Sequence, residues 1–108
     1  MNFKEAAVSK VNGTHLQGVI DVSYDQLVAT FGQPNGTGDG YKVECSWHLE
    51  FADGTIATIY NYKTGKKYAG PYGQLVELIR DWHIGGHNNL AVARVQGALA
   101  QEFAYSGA

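Results

Sequence analysis

The sequence predicts an α+β fold: a small antiparallel sheet of about four strands, centred on an Asp-Gly hairpin and packed on one face by two helices. Three observations lead there. Residues 41–63, YKVECSWHLEFADGTIATIYNYK, are two alternating runs joined by Asp53-Gly54, a strong short-range hairpin signal. Ser23, with Gln26 three residues on, forms a capping box before Tyr24, Leu27, Val28 and Phe31 at helical spacing, and Gly32 and Pro34 end that helix. Val92, Val95, Leu99 and Phe103 repeat the helical spacing between Leu90 and Phe103.

In chain order, the first ten residues fit either a short strand or an ordered arm. Val11 to Thr14 reads as a turn, and His15 to Val22 as a short strand whose Gly18 invites a bulge. The capped helix follows. Asn35 to Gly40 is a glycine loop, but it lacks the Gly-Lys-Ser/Thr ending of a P-loop and feeds a strand, so it is not read as a phosphate cradle. Beyond the hairpin, residues 64–67 form a turn and residues 68–73 an aromatic connection long enough to act as a lid. Gln74 to Arg80 reads as a helical turn with Leu75, Val76, Leu78 and Ile79 mostly buried. Asp81 to Ile84 is the fourth strand, and Gly85 to Asn89 supply a turn and an N-cap for the last helix. The tail from Tyr105 should fray.

A type I′ turn at Asp53-Gly54 fixes the register by counting outward. Phe51 then meets Ile56, Leu49 meets Thr58, Trp47 meets Tyr60 and Cys45 meets Tyr62 on a greasy face. Glu50 meets Ala57, His48 meets Ile59, Ser46 meets Asn61 and Glu44 meets Lys63 on the other, which also carries Lys42.

A chain of 108 residues, 44% hydrophobic and 17% charged, suits a single domain over residues 1–108 with a core of its own. The formal charge of −2 argues against a basic footprint for nucleic acid. One cysteine excludes an internal disulfide framework and suits a reducing compartment. No apolar run is long enough to span a membrane, and the first residues lack the apolar core of a signal peptide, so the expected location is the cytoplasm.

Cys45, His48, His83 and His87 have zinc-like spacings, but Cys45 and His48 lie on opposite faces of a strand and two glycines separate the other pair, so no metal or other cofactor is expected. Ser46 and His48 share a face with Glu44 and Glu50 nearby, yet no nucleophile elbow surrounds the serine, and no catalytic residue is assigned. A binding site is easier to assemble. Gly85 and Gly86 before a helix offer amides and a helix dipole to a phosphate, with His83, His87 and Asn88 as donors. Tyr68 and Tyr72 offer flat faces for a base, and Asn61 and Lys63 complete the candidate set; Tyr60, Tyr62 and Trp82 are assigned to the core. For a protein partner, the candidate surface is Lys42, Glu44, His48 and Glu50.

The helix end Leu27-Val28 to Phe31-Gly32 and Pro34, followed by a Trp-bearing strand and an Asp-Gly hairpin, resembles the helix-plus-meander modules of β-lactamase-inhibitor-like and outer-membrane lipoprotein assembly domains, a likeness of fold alone. The string WHLEFADGTIATIYNYK followed by DWHIGG resembles small uncharacterised proteins encoded by bacteriophages and prophages. That resemblance implies a counter-defence role in an infected bacterium. The expectation is a non-enzymatic protein that sequesters a nucleotide-type immune signal; the alternatives are an anti-CRISPR-like inhibitor of an immune protein and a small phosphoesterase. A homo-oligomer is expected for the first two, because so small a sheet leaves an exposed edge.

Overall fold

The computed structural model describes residues 2–36 and 42–103; most of the glycine loop, the first residue of the hairpin run and the tail from 104 lie outside the described residues. Its strands are β1 (Phe3–Glu5), β2 (His15–Asp21), β3 (Ser46–Phe51), β4 (Ile56–Tyr60) and β5 (Asp81–Gly86). They form one antiparallel sheet in the order β1-β3-β4-β5-β2. The N-terminal segment is therefore a fifth strand, with Phe3 opposite Phe51 and Glu5 opposite Leu49. The expected bulge in β2 falls between Leu16 and Gly18.

The helices are α1 (Val8–Val11), α2 (Tyr24–Phe31), α3 (Lys66–Ala69) and α4 (Leu90–Phe103). The capping box of α2 forms as read: the Ser23 hydroxyl accepts from the Gln26 amide, the Gln26 side chain accepts from the Ser23 amide, and Gly32 closes the helix at φ 83°. Helices α2 and α4 cover one face of the sheet. Between them and the strands lie Leu27, Phe31, Trp47, Leu49, Ile59, Trp82, Ile84, Val95 and Leu99, all buried. The Trp47 and Trp82 rings meet edge to face at 5.5 Å, and both indole N–H groups are satisfied, by the Gly32 carbonyl at 2.8 Å and the Ile79 carbonyl at 3.1 Å. Further along, Leu75 and Leu78 are exposed and only Ile79 of that stretch is fully buried, because the segment makes a short 3₁₀ turn over Val76–Leu78 and turns those leucines outward.

The hairpin exists, but its register is one residue away from the expected one. Trp47 faces Ile59, Leu49 faces Ala57, His48 faces Thr58 and Ser46 faces Tyr60. The turn explains this. The Gly54 amide donates to the Phe51 carbonyl and the Phe51 amide to the Thr55 carbonyl, both at 2.9 Å, so Ala52, Asp53 and Gly54 form a three-residue loop. Gly54 alone takes the left-handed conformation there, at φ 88°, as in a type I turn with a glycine bulge, whereas a type I′ turn would need Asp53 there too. Asp53 instead accepts from the Thr55 amide at 3.0 Å and from Arg94 of α4 at 2.7 Å. Since side chains alternate, this single step moves Ile59 and Ala57 into the core and sends Tyr60, Thr58 and Tyr62 to the other face. The expected pairing of Glu44 with Lys63 is lost with it.

Strands β1 and β2 sit at opposite edges, so residues 6–14 must cross the whole sheet, roughly 19 Å at about 4.8 Å per strand. Helix α1 lies in that crossing, on the face opposite α2 and α4. Lys10 Nζ is 3.0 Å from both carboxylate oxygens of Glu50, and His87 Nε2 is 2.8 Å from the Lys10 carbonyl oxygen. The second face of the sheet is thus partly roofed.

Gly54→Ala should destabilise the protein by about 1 kcal/mol or more, because a Cβ is strained at that φ; denaturant unfolding measures it. Hydrogen bonds from the Thr55 side chain and amide, then from Arg94, hold the Asp53 carboxyl down at about 2 against an ordinary 3.8. A lowered carboxylate stabilises the fold above its ordinary value and loses that contribution as pH falls from there through about 2. Asp53→Asn should flatten this part of the acid unfolding profile.

Candidate ligand site

Under the α1 crossing lies a cavity of about 250 Å³, lined by Val11, Thr14, His15, Val43, Ser46, His48, Thr58, Tyr60 and Gly85. Its floor is the outward set of the three central strands. Ser46 and His48 come from β3, Thr58 and Tyr60 from β4, and Gly85 from β5. The absence of a side chain at Gly85 keeps the space open: a Cβ there would stand 2.5 Å from Thr58 Oγ1 and 3.4 Å from Tyr60 Cε1. Gly36 has the same character at the rim, where a Cβ would fall 2.6 Å from His48 Nε2 and closer still to Ser46 Oγ.

Ser46 is only 3% exposed, and among the described residues its hydroxyl has no hydrogen-bond partner; the same holds for Asn61 Nδ2 and Thr64 Oγ1, but of the three only Ser46 lines the cavity. A buried hydroxyl left unpaired costs about 1–3 kcal/mol. Its own backbone is well held, since the Ser46 carbonyl accepts from the Gly36 amide at 2.9 Å. The His48 amide donates to Asn35 Oδ1 at 2.7 Å, so a second loop residue ties down the same strand edge. Burial lowers the His48 pKa below its ordinary 6.5, more than the Glu5 carboxylate raises it, and the ring is neutral at neutral pH. A neutral imidazole carries one donor and one acceptor.

From Tyr60 an aromatic row runs along the same face. The His83 ring stands 5.5 Å from Tyr60, edge to face, and 5.7 Å from Tyr62. Lys63 Nζ then lies 5.3 Å from the Tyr62 ring centre and 5.4 Å from that of Tyr68, within cation–π range. Among the described residues Lys63 is the one non-glycine residue with a left-handed backbone, at φ 62°. That conformation costs on the order of 1 kcal/mol, and such strain clusters at functional positions.

Of the residues singled out from the sequence, His83, Lys63 and Tyr68 therefore meet in one row, and Gly85 and His48 meet in the cavity beside it. The others do different work. Asn61 is fully buried, not on the wet face, and its Oδ1 accepts from the Glu44 and Cys45 amides at 3.0 Å. Tyr72 is 93% exposed and belongs to neither the cavity nor the row. Gly85 and Gly86 are strand residues of β5, not a turn, and Gly86 faces α4, where a Cβ would meet Ala91 at 2.5 Å. Asn88 accepts from the Leu90 amide at 3.0 Å through its side chain and from the Ala91 amide at 3.3 Å through its carbonyl, which uses up amides that a phosphate would need. His87 anchors α1. Lys42, Glu44, His48 and Glu50 do not gather into one free surface: Glu44 Oε1 accepts from the Lys67 amide at 2.9 Å, Glu50 holds Lys10, and His48 is half-buried.

Cys45 points to the core, and burial pushes its thiol up to about 12, so it stays protonated at neutral pH. Among the described residues no three His, Cys, Asp or Glu side chains gather in a way that could hold a metal ion, and no helix is long and apolar enough to cross a membrane. Tyr60 and Thr58 were missed from sequence through the register. Val11, Thr14 and His15 were missed because only the crossing between opposite edges brings them over the sheet. Compared with protein-family models, curated proteins and solved structures, the chain matches none.

Two substitutions separate a structural polar group from one held in reserve. Asn61→Ala strips the buried Cys45 amide and the partly buried Glu44 amide of their acceptor and should cost about 2 kcal/mol or more, whereas Ser46→Ala should leave stability unchanged or raise it by about 1 kcal/mol. Thermal or urea unfolding of the two variants beside the parent checks both values.

Proposed function

We propose that the protein binds a small nucleotide-type molecule on the outer face of its sheet and works by sequestering it, not by turning it over. The observation that carries this reading is the unpaired Ser46 hydroxyl, buried in the lining of a cavity that it shares with neutral His48, Thr58 and the Tyr60 ring. Buried polar groups are almost always satisfied, so an exception facing a cavity favours an absent hydrogen-bonding ligand. The row of Tyr60, His83 and Tyr62 adds flat surface, and Lys63 between Tyr62 and Tyr68 adds a cation for a phosphate.

Sequestration is favoured over catalysis by the state of the nucleophiles. Among the described residues no base is hydrogen-bonded to the Ser46 hydroxyl, and the Cys45 thiol is held protonated within the core. The resemblance to small bacteriophage proteins supplies the context: the ligand is a nucleotide signal of bacterial immunity, and the protein lowers its free concentration in the infected cell.

Isothermal titration against cyclic dinucleotides and ADP-ribose-type molecules tests this. At least one should bind with a Kd below about 10 μM, be recovered chemically intact, and bind at least tenfold more weakly to Lys63→Glu. No heat from any of them, or recovery of a cleaved product, would remove the reading.

A further inference from the structure

We infer that the cavity under α1 receives the uncharged heterocyclic end of the ligand, a nucleobase, while the charged end stays outside it against Lys63. The inference rests on the nucleotide reading above and deepens it by dividing the site into two halves.

Size is the first argument. A space of about 250 Å³ equals roughly eight water-sized groups at ~30 Å³ each, the scale of one base. Charge is the second. Among the described residues that line the cavity there is no Lys, Arg, Asp or Glu; of its two histidines, His48 on the floor is kept neutral by burial, and His15 stands at the exposed rim. A phosphate placed on that floor would give up hydration with no lysine or arginine to replace it. A base meets a different environment: the hydroxyls of Ser46 and Thr58 and the neutral imidazole of His48 can each donate or accept, so together they suit an edge that mixes donors and acceptors. Val11, Val43 and the Tyr60 ring supply apolar contact for the base itself.

The cation ends the aromatic row that starts in the cavity. Tyr60 belongs to both the cavity lining and the aromatic row, which leads through His83 and Tyr62 to Lys63. Lys63 is held by its neighbours as well as by its rings, since its amide donates to the Lys42 carbonyl at 2.8 Å. The strained backbone at φ 62° fixes the direction in which that lysine leaves the sheet.

The experiment measures binding of adenosine, guanosine, cytidine and uridine, of their 5′-monophosphates, of ribose 5-phosphate and of inorganic phosphate, each at concentrations up to the order of 1 mM. The proteins compared are the parent, Ser46→Ala and Lys63→Gln, with thermal unfolding of each as the check that it folds. At least one nucleoside should bind, and ribose 5-phosphate and phosphate should not displace it. Ser46→Ala should weaken that nucleoside at least tenfold. Lys63→Gln should leave the nucleoside unchanged and weaken the matching monophosphate about fivefold. Gly85→Ala, which brings a Cβ to 2.5 Å from Thr58 Oγ1, should abolish nucleoside binding as a second route to the same answer. If ribose 5-phosphate or phosphate binds and the nucleosides do not, or if Lys63→Gln weakens nucleoside and monophosphate alike, the division of the site is wrong while nucleotide binding stands. If no nucleoside or monophosphate binds and the titration of cyclic dinucleotides and ADP-ribose-type molecules is also silent, both fall.

Discussion

The arrangement of the molecule depends on how the chain reverses at Ala52, Asp53 and Gly54. A glycine in the left-handed region at the third loop position, with Asp53 accepting from the Thr55 amide, makes Phe51 face Thr55 and fixes every pair beyond it. Strand pairing has a period of two, so no intermediate register exists. With this one, Ala57 and Ile59 enter the core between the helices and the two tryptophans, and Thr58 and Tyr60 line the opposite face. The neighbouring register would have pressed the Tyr60 hydroxyl into that core and left Ile59 in water. Arg94 of α4, bonded to Asp53, ties the turn to the helix that covers the greasy side.

The cavity has a topological origin. With β1 and β2 at opposite edges, the chain must pass over one face early, and it returns over the other face in α2. The return is broad and apolar and becomes the core. The outward pass is narrow, a single turn of helix with one lysine tethered at both ends, and it covers the sheet without filling the space beneath. Two strand glycines divide the labour between the faces: Gly86 lets α4 approach closely, and Gly85 leaves the floor of the cavity open.

Much of this was legible in the sequence, and the failures have identifiable causes. The capping box at Ser23, the stop at Gly32, the last helix and the existence of the hairpin all followed from local patterns that the fold had no reason to override. The register did not, because Asp-Gly serves both a two-residue turn and the end of a three-residue one, and the choice depends on Arg94 and the strand packing far away. Ser46 and His48 were recognised as sharing a face, yet their meeting with Val11, Thr14 and Gly85 depends on strand order, which no local pattern encodes. Asn61 looked like a ligand group because the expected register put it on the wet face of the hairpin, and His87 and Asn88 because they are polar residues in an expected turn. Each instead bonds the protein's own backbone, which is the more common use of such side chains there.

Strand β4 is the middle member of the sheet, bonded to a neighbour along each edge, backed by α4 and crossed by α1. Its amides are the last to meet solvent when the structure breathes, so they should exchange their hydrogens most slowly. Thr58 and Tyr60 ride on that strand, whereas Lys63 and Tyr68 sit on the exposed connection that follows it. One half of the outer face is consequently as unyielding as the molecule itself, and the other has the latitude to adjust to whatever extends from it.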